Sequence, residues 1–197
     1  MLTTIIIIAI GLTFLALILT IIWLLKISGL FTSIKIQVLQ PSFEFLTIAY
    51  KYQQGDYSKS ADIFRDILNY SPSHSTIAIY YDNVDVTPVE QRRFIVGIIV
   101  DETKDETIIE RMKTDDYKIF KLPKSVQSVY TTFPFNSVFS VSIANSRVPS
   151  RLAYFIETNK LDAHPFIEIY EPTLIHYFVP LSNYENYNVP EIISESS

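Results

Sequence analysis

Residues Ile5 to Leu25 read IIIIAIGLTFLALILTIIWLL, a run of 21 residues without a charge and with Thr as the only clearly polar type. As a helix rising ~1.5 Å per residue, the run reaches roughly 31 Å, about the thickness of a bilayer's hydrocarbon core. A helix that is apolar on every face cannot lie on the surface of a soluble domain. An uncharged stretch of this length near a terminus reads as a membrane span instead of a core helix. The remaining residues are then a domain held at a membrane surface, with the lipid bilayer as a partner through residues 5–25.

The run does not have the pattern of a cleaved signal peptide, which needs a basic start, a shorter apolar core and a small-residue cleavage site. Lys26 follows at once, and no A-x-A pattern is present. A retained signal anchor, residues 1–27, is expected. Lys26 and Lys35 lie just after the span and no basic side chain lies before it, so the body is expected to face the cytosol. The absence of cysteine agrees with that placement. Asn69-Tyr70-Ser71 is a glycosylation sequon followed by Pro72, and its use would overturn the topology.

The span inflates the 48% apolar content and the mean hydropathy of +0.21. All 16 basic and 21 acidic side chains lie after residue 25, so the body is an ordinary globular domain of net charge −5. That balance leaves no footprint for nucleic acid and no polybasic patch for anionic lipid. The 13 Tyr and 13 Phe suit strands and aromatic-lined concavities.

Alternation predicts strands over 34–38, 43–52, 76–81, 117–122, 125–135, 166–170 and 174–181. The nearly continuous apolar run RRFIVGIIV, 92–100, predicts a central strand. Ile63, Phe64, Ile67 and Leu68 place one apolar face on a helix over 57–69. A short helix is expected within 101–116, and a longer one over 137–159, disturbed at Pro149. Residues 182–197 show no periodicity and read as a short flexible tail. The order strand, strand, helix, strand, strand occurs twice, and Ile77-Ala78-Ile79-Tyr80 echoes Ile167-Glu168-Ile169-Tyr170. The expected fold class is α+β: an N-terminal transmembrane helix, then a duplicated ββαββ domain, residues 28–181, with an antiparallel sheet and helices on one face.

Several stretches together resemble the testis-expressed protein 264 family. They are IAYKY, the GDY turn, Ser71-Pro72, TIAIYYDN, Val86-Thr87-Pro88 and RRFIVGIIV in the first half. Phe120-Lys121-Leu122-Pro123, Thr132-Phe133-Pro134, Ser146-Arg147-Val148, IEIY, Ile175-His176, Pro180-Leu181 and Val189-Pro190-Glu191 follow in the second. That family is similar in turn to the bacterial gyrase-inhibitor-like (GyrI-like) superfamily. The resemblance implies a single-pass protein of the endoplasmic reticulum, or of the nuclear envelope, with a cytosolic GyrI-like domain. It implies a receptor for selective autophagy of the reticulum (reticulophagy) that binds ubiquitin-like autophagosomal proteins through an aromatic-x-x-aliphatic motif in a long acidic tail. It further implies association with the valosin-containing AAA ATPase and with repair of DNA–protein crosslinks. This sequence departs at that motif: Tyr184 is followed at +3 by Tyr187, and Tyr187 by Pro190. The candidate elsewhere is Tyr81-Asp82-Asn83-Val84, with Tyr81 and Val84 as anchors. Such motifs bind by adding a strand to a partner's sheet edge.

His74, His164 and His176 are scattered, so no metal site is expected, and no catalytic residues or cofactor are expected either. Glu168 in FIEIY is the candidate ligand carboxylate, since GyrI-like ligand-binding proteins place one against an aromatic cleft. Tyr50, Tyr80 and Tyr170 would supply cation-π faces for a cationic ligand. The strand's alternation favours the plainer reading of Glu168 as an outward-facing carboxylate. Arg92-Arg93 near Asp82 and Asp85 reads as a surface ion pair of small value. The function expected is that of a membrane-anchored, non-enzymatic adaptor. The alternatives are an anchored GyrI-like domain that binds or hydrolyses a small molecule, or a short form lacking the autophagy motif.

Overall fold

The computed structural model describes residues 1–195. α1 (Leu2–Ile27) carries no buried residue. The hydroxyls of Thr13 and Thr20 donate to the carbonyls of Ala9 and Ala16, both at 2.9 Å, so its few polar side chains are satisfied within the helix.

The body is one antiparallel sheet of eight strands: β1 (Gln37–Leu39), β2 (Leu46–Gln54), β3 (Thr76–Tyr80), β4 (Arg93–Val100), β5 (Lys118–Leu122), β6 (Ser128–Pro134), β7 (Phe166–Tyr170) and β8 (Leu174–Pro180). Their spatial order is β1-β6-β8-β7-β3-β4-β2-β5. The expected duplication is visible in that order. β2, β4 and β3 form one half, and β6, β8 and β7 repeat it in mirror sequence. The first strand of each half crosses to the other: β1 pairs with β6 and β5 pairs with β2. The halves meet at β3 and β7, where Ala78 stands opposite Glu168. Glu168 therefore lies at the centre of the fold, and its counterpart there is an alanine.

α2 (Ser60–Leu68), α3 (Glu106–Thr114) and α4 (Val138–Thr158) cover one face of the sheet. Ile63 and Ile67 of α2 reach Phe94, Val96 and Ile98 of β4. α4 begins with a capping box of Ser137 and Ser140 and buries Ala144, Val148 and Leu152. It runs on through Pro149, where a disturbance was expected. The bond that Pro149 omits falls on Asn145, which is exposed.

The opposite face is not open. Asn183 takes a left-handed conformation (φ 53°) and turns the chain back. A single 3-10 turn (Tyr184–Tyr187) and α5 (Pro190–Glu195) follow. Tyr187, Val189 and Ile192 bury against Ile48, Tyr50, Ile77, Ile79, Ile167 and Phe178. Residues 182–195 are thus a covering element where a loose tail was expected. The other differences are boundaries. Of the stretch 34–38 only Gln37 and Val38 join the ladder, followed there by Leu39, and the strand expected from 43 starts at Leu46.

Gly97 of β4 stands opposite Tyr50, and a Cβ there would run into the backbone carbonyl of Ala49. Relief requires a shift of main chain in the middle of the sheet. Gly97→Ala is expected to cost about 1–3 kcal/mol, read as a lowered urea midpoint.

Candidate functional site

Glu168 is 4% exposed, which corrects the outward-facing reading. Parity along β7 sends Ile167 and Ile169 to one face and Glu168 to the other, but the other face lies beneath the helices. Tyr170 donates its phenol to Glu168 Oε2 at 2.6 Å. Tyr177 stands opposite Glu168 in the β7–β8 ladder, and its phenol has no hydrogen-bond partner among the described residues. Tyr80 donates to Ser60 Oγ of α2 at 3.4 Å and packs its ring 4.7 Å from that of Tyr57. Phe64 of α2 and Phe135 close edge-on over Tyr170, with centroids 5.1 and 5.9 Å away. Burial pushes the Glu168 carboxyl up to about 7, with the Tyr170 hydrogen bond opposing. Burial, then the nearby Glu168 carboxylate, also raises the Tyr177 phenol. The result is a carboxyl that holds its proton near neutrality inside an aromatic box. It could bind a cation or exchange a proton only if Phe64 and Tyr170 moved aside.

Tyr80 and Tyr170 thus join Glu168, but Tyr50 does not. Tyr50 shares the other face with Ile48 and Ile95. There it donates to Glu191 Oε2 at 2.9 Å, while Lys118 Nζ lies 2.7 Å from Glu191 Oε1. Tyr52 donates to Glu195 at 2.9 Å, and Tyr81 donates to the carbonyl of Tyr187 at 3.0 Å. Three phenols, two on β2 and one just past β3, therefore fasten the covering segment. Burial, then the Glu191 hydrogen bond, holds the Tyr50 phenol above its usual range.

No known protein-family model matches the chain. It is 34% identical over 168 residues to mouse testis-expressed protein 264 homolog, and 32% identical over 185 residues to human testis-expressed protein 264. These matches take in 84% and 92% of this chain. The chain belongs to the testis-expressed protein 264 family. It spans about half the length of these curated relatives, 54% of the mouse and 59% of the human protein. Similar solved structures include an uncharacterized conserved protein from Listeria innocua (TM-score 0.47, 12% identity, 75% of this chain and 92% of that one). Another is the EcmrR C-terminal domain (TM-score 0.46, 12% identity, 76% and 98%). Both likenesses are remote.

Two stretches that carry the resemblance to the testis-expressed protein 264 family acquire physical roles. Val189-Pro190-Glu191 supplies a buried side chain and the carboxylate that receives Tyr50 and Lys118. Ser146-Arg147-Val148 supplies buried Val148 and a guanidinium that binds main-chain carbonyls after α1. Tyr81 is held under the covering segment by its bond to Tyr187, while Val84 is exposed on the following turn. Arg93 and Asp82 make a fork, with Nη2–Oδ1 at 2.7 Å and Nε–Oδ2 at 3.0 Å. Both side chains are largely buried, so the pair is more than the surface contact expected. Arg92 does not join it and donates to the carbonyls of Val84 and Thr87. The histidines stay apart: His74 lies 3.1 Å from Asp105, His164 3.5 Å from Asp162 and His176 3.2 Å from Glu171. Among the described residues no group of three or more His, Asp or Glu converges as a metal site.

Sequence reasoning missed Tyr177, Ser60 and Phe64 at the Glu168 cluster, and Lys118, Glu191 and Glu195 at the covered face. Tyr177 follows Ile175 and precedes Val179 at every second position, which signals a shared face but not its register with Glu168. Nothing local signals Glu191 or Glu195.

Proposed function

We propose that this protein is a non-enzymatic adaptor anchored in the endoplasmic reticulum membrane by α1, with its domain in the cytosol. In this reading it acts in reticulophagy and associates with ubiquitin-like autophagosomal proteins and with the valosin-containing AAA ATPase. One observation supports it most: the two sheet faces are filled by the chain's own side chains, Phe64 and Tyr170 on one and Tyr187, Val189 and Ile192 on the other. With both sheet faces covered in this way, the domain is read as working through its outer surface. Lys26 and Lys35 support the cytosolic placement. Titration calorimetry of residues 27–197 against ubiquitin-like autophagosomal proteins tests the receptor role. Micromolar heat lost in Val84→Ala supports a motif at the turn. No heat moves tethering to the outer surface of the domain and another partner.

The Tyr177 phenol, without a hydrogen-bond partner among the described residues and on the side of the buried carboxylate, favours a second reading, an anchored domain that binds a hydrophobic cation. Tetraphenylphosphonium binding that disappears in Glu168→Gln would select it over the adaptor.

A further inference from the structure

The chain that leaves α1 is not a linker. Ser28 is buried, and its Oγ lies 2.6 Å from that of Ser137 at the start of α4. Gly29 adopts φ +91° against the Phe133 ring, where a Cβ would come within 2.7 Å of ring carbons. Arg147 of α4 then grips three main-chain carbonyls within four residues of this chain. Its guanidinium donates to the carbonyls of Gly29 at 2.8 Å, Leu30 at 2.7 Å and Thr32 at 2.8 Å. A planar fork with five fixed donors suits such a contact. Anchor and domain are therefore fixed in one mutual orientation.

The clamp decides what lies beside the membrane. Phe31 is four residues past the end of α1, within roughly 14 Å of it even if extended. Phe139 is two residues past Ser137, within roughly 7 Å along the chain. Phe31 is 68% exposed and Phe139 49%, with Leu30 also exposed between α1 and Phe31. Single exposed apolar side chains are ordinary, but these converge on the point where an apolar helix ends. The charges agree. Residues 26–43 and 135–156 contain Lys26, Lys35, Arg147 and Arg151 and no carboxylate, in a chain of net charge −5.

From this we infer that the domain docks on the bilayer surface, with Phe31 and Phe139 in the boundary between headgroups and acyl chains. The occupant of the surface is a leaflet containing anionic lipid. Aromatic side chains favour that layer, and cations near it are attracted by the surface potential. The inference rests on α1 being a membrane span, as in the proposed function. It adds that the domain does not swing freely but presents the same outer surface to the cytosol at all times.

The test uses the full chain in nanodiscs of 70% phosphatidylcholine and 30% phosphatidylserine. Trp23 is the single tryptophan and reports on the anchor by quenching from brominated lipid. In a Trp23→Phe background, Phe31→Trp and Phe139→Trp are expected to lose at least half their emission to lipid brominated near the headgroup. Iodide should quench them little. Arg147→Ala is expected to halve the quenching of Phe139→Trp. Arg147→Lys, which keeps the charge and stem without the fork, should act in the same direction if the alanine variant fails to fold. Bromolipid quenching of Trp23 with none of Phe139→Trp would leave the anchor standing and overturn the docking. Absence of Trp23 quenching would remove the anchor reading and the docking with it. Unchanged Phe139→Trp quenching in both Arg147 variants would overturn the clamp.

Discussion

Tyr187→Ala is expected to destabilise the domain by about 3–5 kcal/mol, the usual cost of removing a buried aromatic ring. Tyr187 is 2% exposed over the sheet face formed by Ile48, Tyr50, Ile77 and Phe178. Its backbone carbonyl receives Tyr81, and the residues after it receive Tyr50 and Tyr52. Loss of the ring leaves a hole beneath a short segment that has few other apolar contacts. The covering segment then detaches, and the sheet face it leaves becomes an exposed apolar patch. In urea the midpoint should fall by roughly 1–3 M at a slope typical of such a domain, and binding of a hydrophobic dye should rise. Glu185→Ala, on the exposed side of the same turn, should stay within about 0.5 kcal/mol. A loss below about 1 kcal/mol for Tyr187→Ala would mean that the segment does not belong to the stable fold in solution.

That segment was illegible in the sequence for a definite reason. Its buried side chains, Tyr187, Val189 and Ile192, are spaced by two and then three residues, a pattern belonging to neither strand nor helix. Only the sheet face beneath it selects them. By contrast α1 is readable from uniform apolarity alone, α2 from the Ile63 and Ile67 spacing, and β4 from an unbroken apolar run. The duplication is readable because the element order repeats, though not the exchange of β1 and β5 between halves, which depends on pairing. Glu168 shows how far parity reaches. Alternation correctly separates it from Ile167 and Ile169, but cannot tell that α2 and α4 lie over its side. Tyr50 fails as its partner for the complementary reason. Opposite Gly97, it points to the Ile95 side of the sheet, and that follows only from register.

Glu168→Gln is expected to gain about 3 kcal/mol on wild type between pH 4.5 and pH 8, the free-energy equivalent of raising a carboxyl from its ordinary value to about 7. The sign follows from proton binding. Between about 4.5 and about 7 the folded state keeps a proton on Glu168 that the unfolded state has released. Stability contributed by this group is therefore present below the ordinary carboxylate range, falls as pH rises through that window, and is flat above it. The glutamine variant lacks this slope. It fits the site in size, and its carbonyl can accept from Tyr170 as the carboxylate does. Urea midpoints at pH 4.5 and pH 8 measure the effect, and a difference between the two proteins that is the same at both pH values would contradict it. Ala78 stands opposite Glu168, so only one half of the duplicated sheet places a carboxylate at this centre. The ionised side chain is a cost that a bound cation would offset. At pH 8 a hydrophobic cation that enters the box should raise the wild-type midpoint and leave that of Glu168→Gln where it was. An equal response of both proteins would place the cation elsewhere and leave the carboxyl as a buried group whose only effect is on stability.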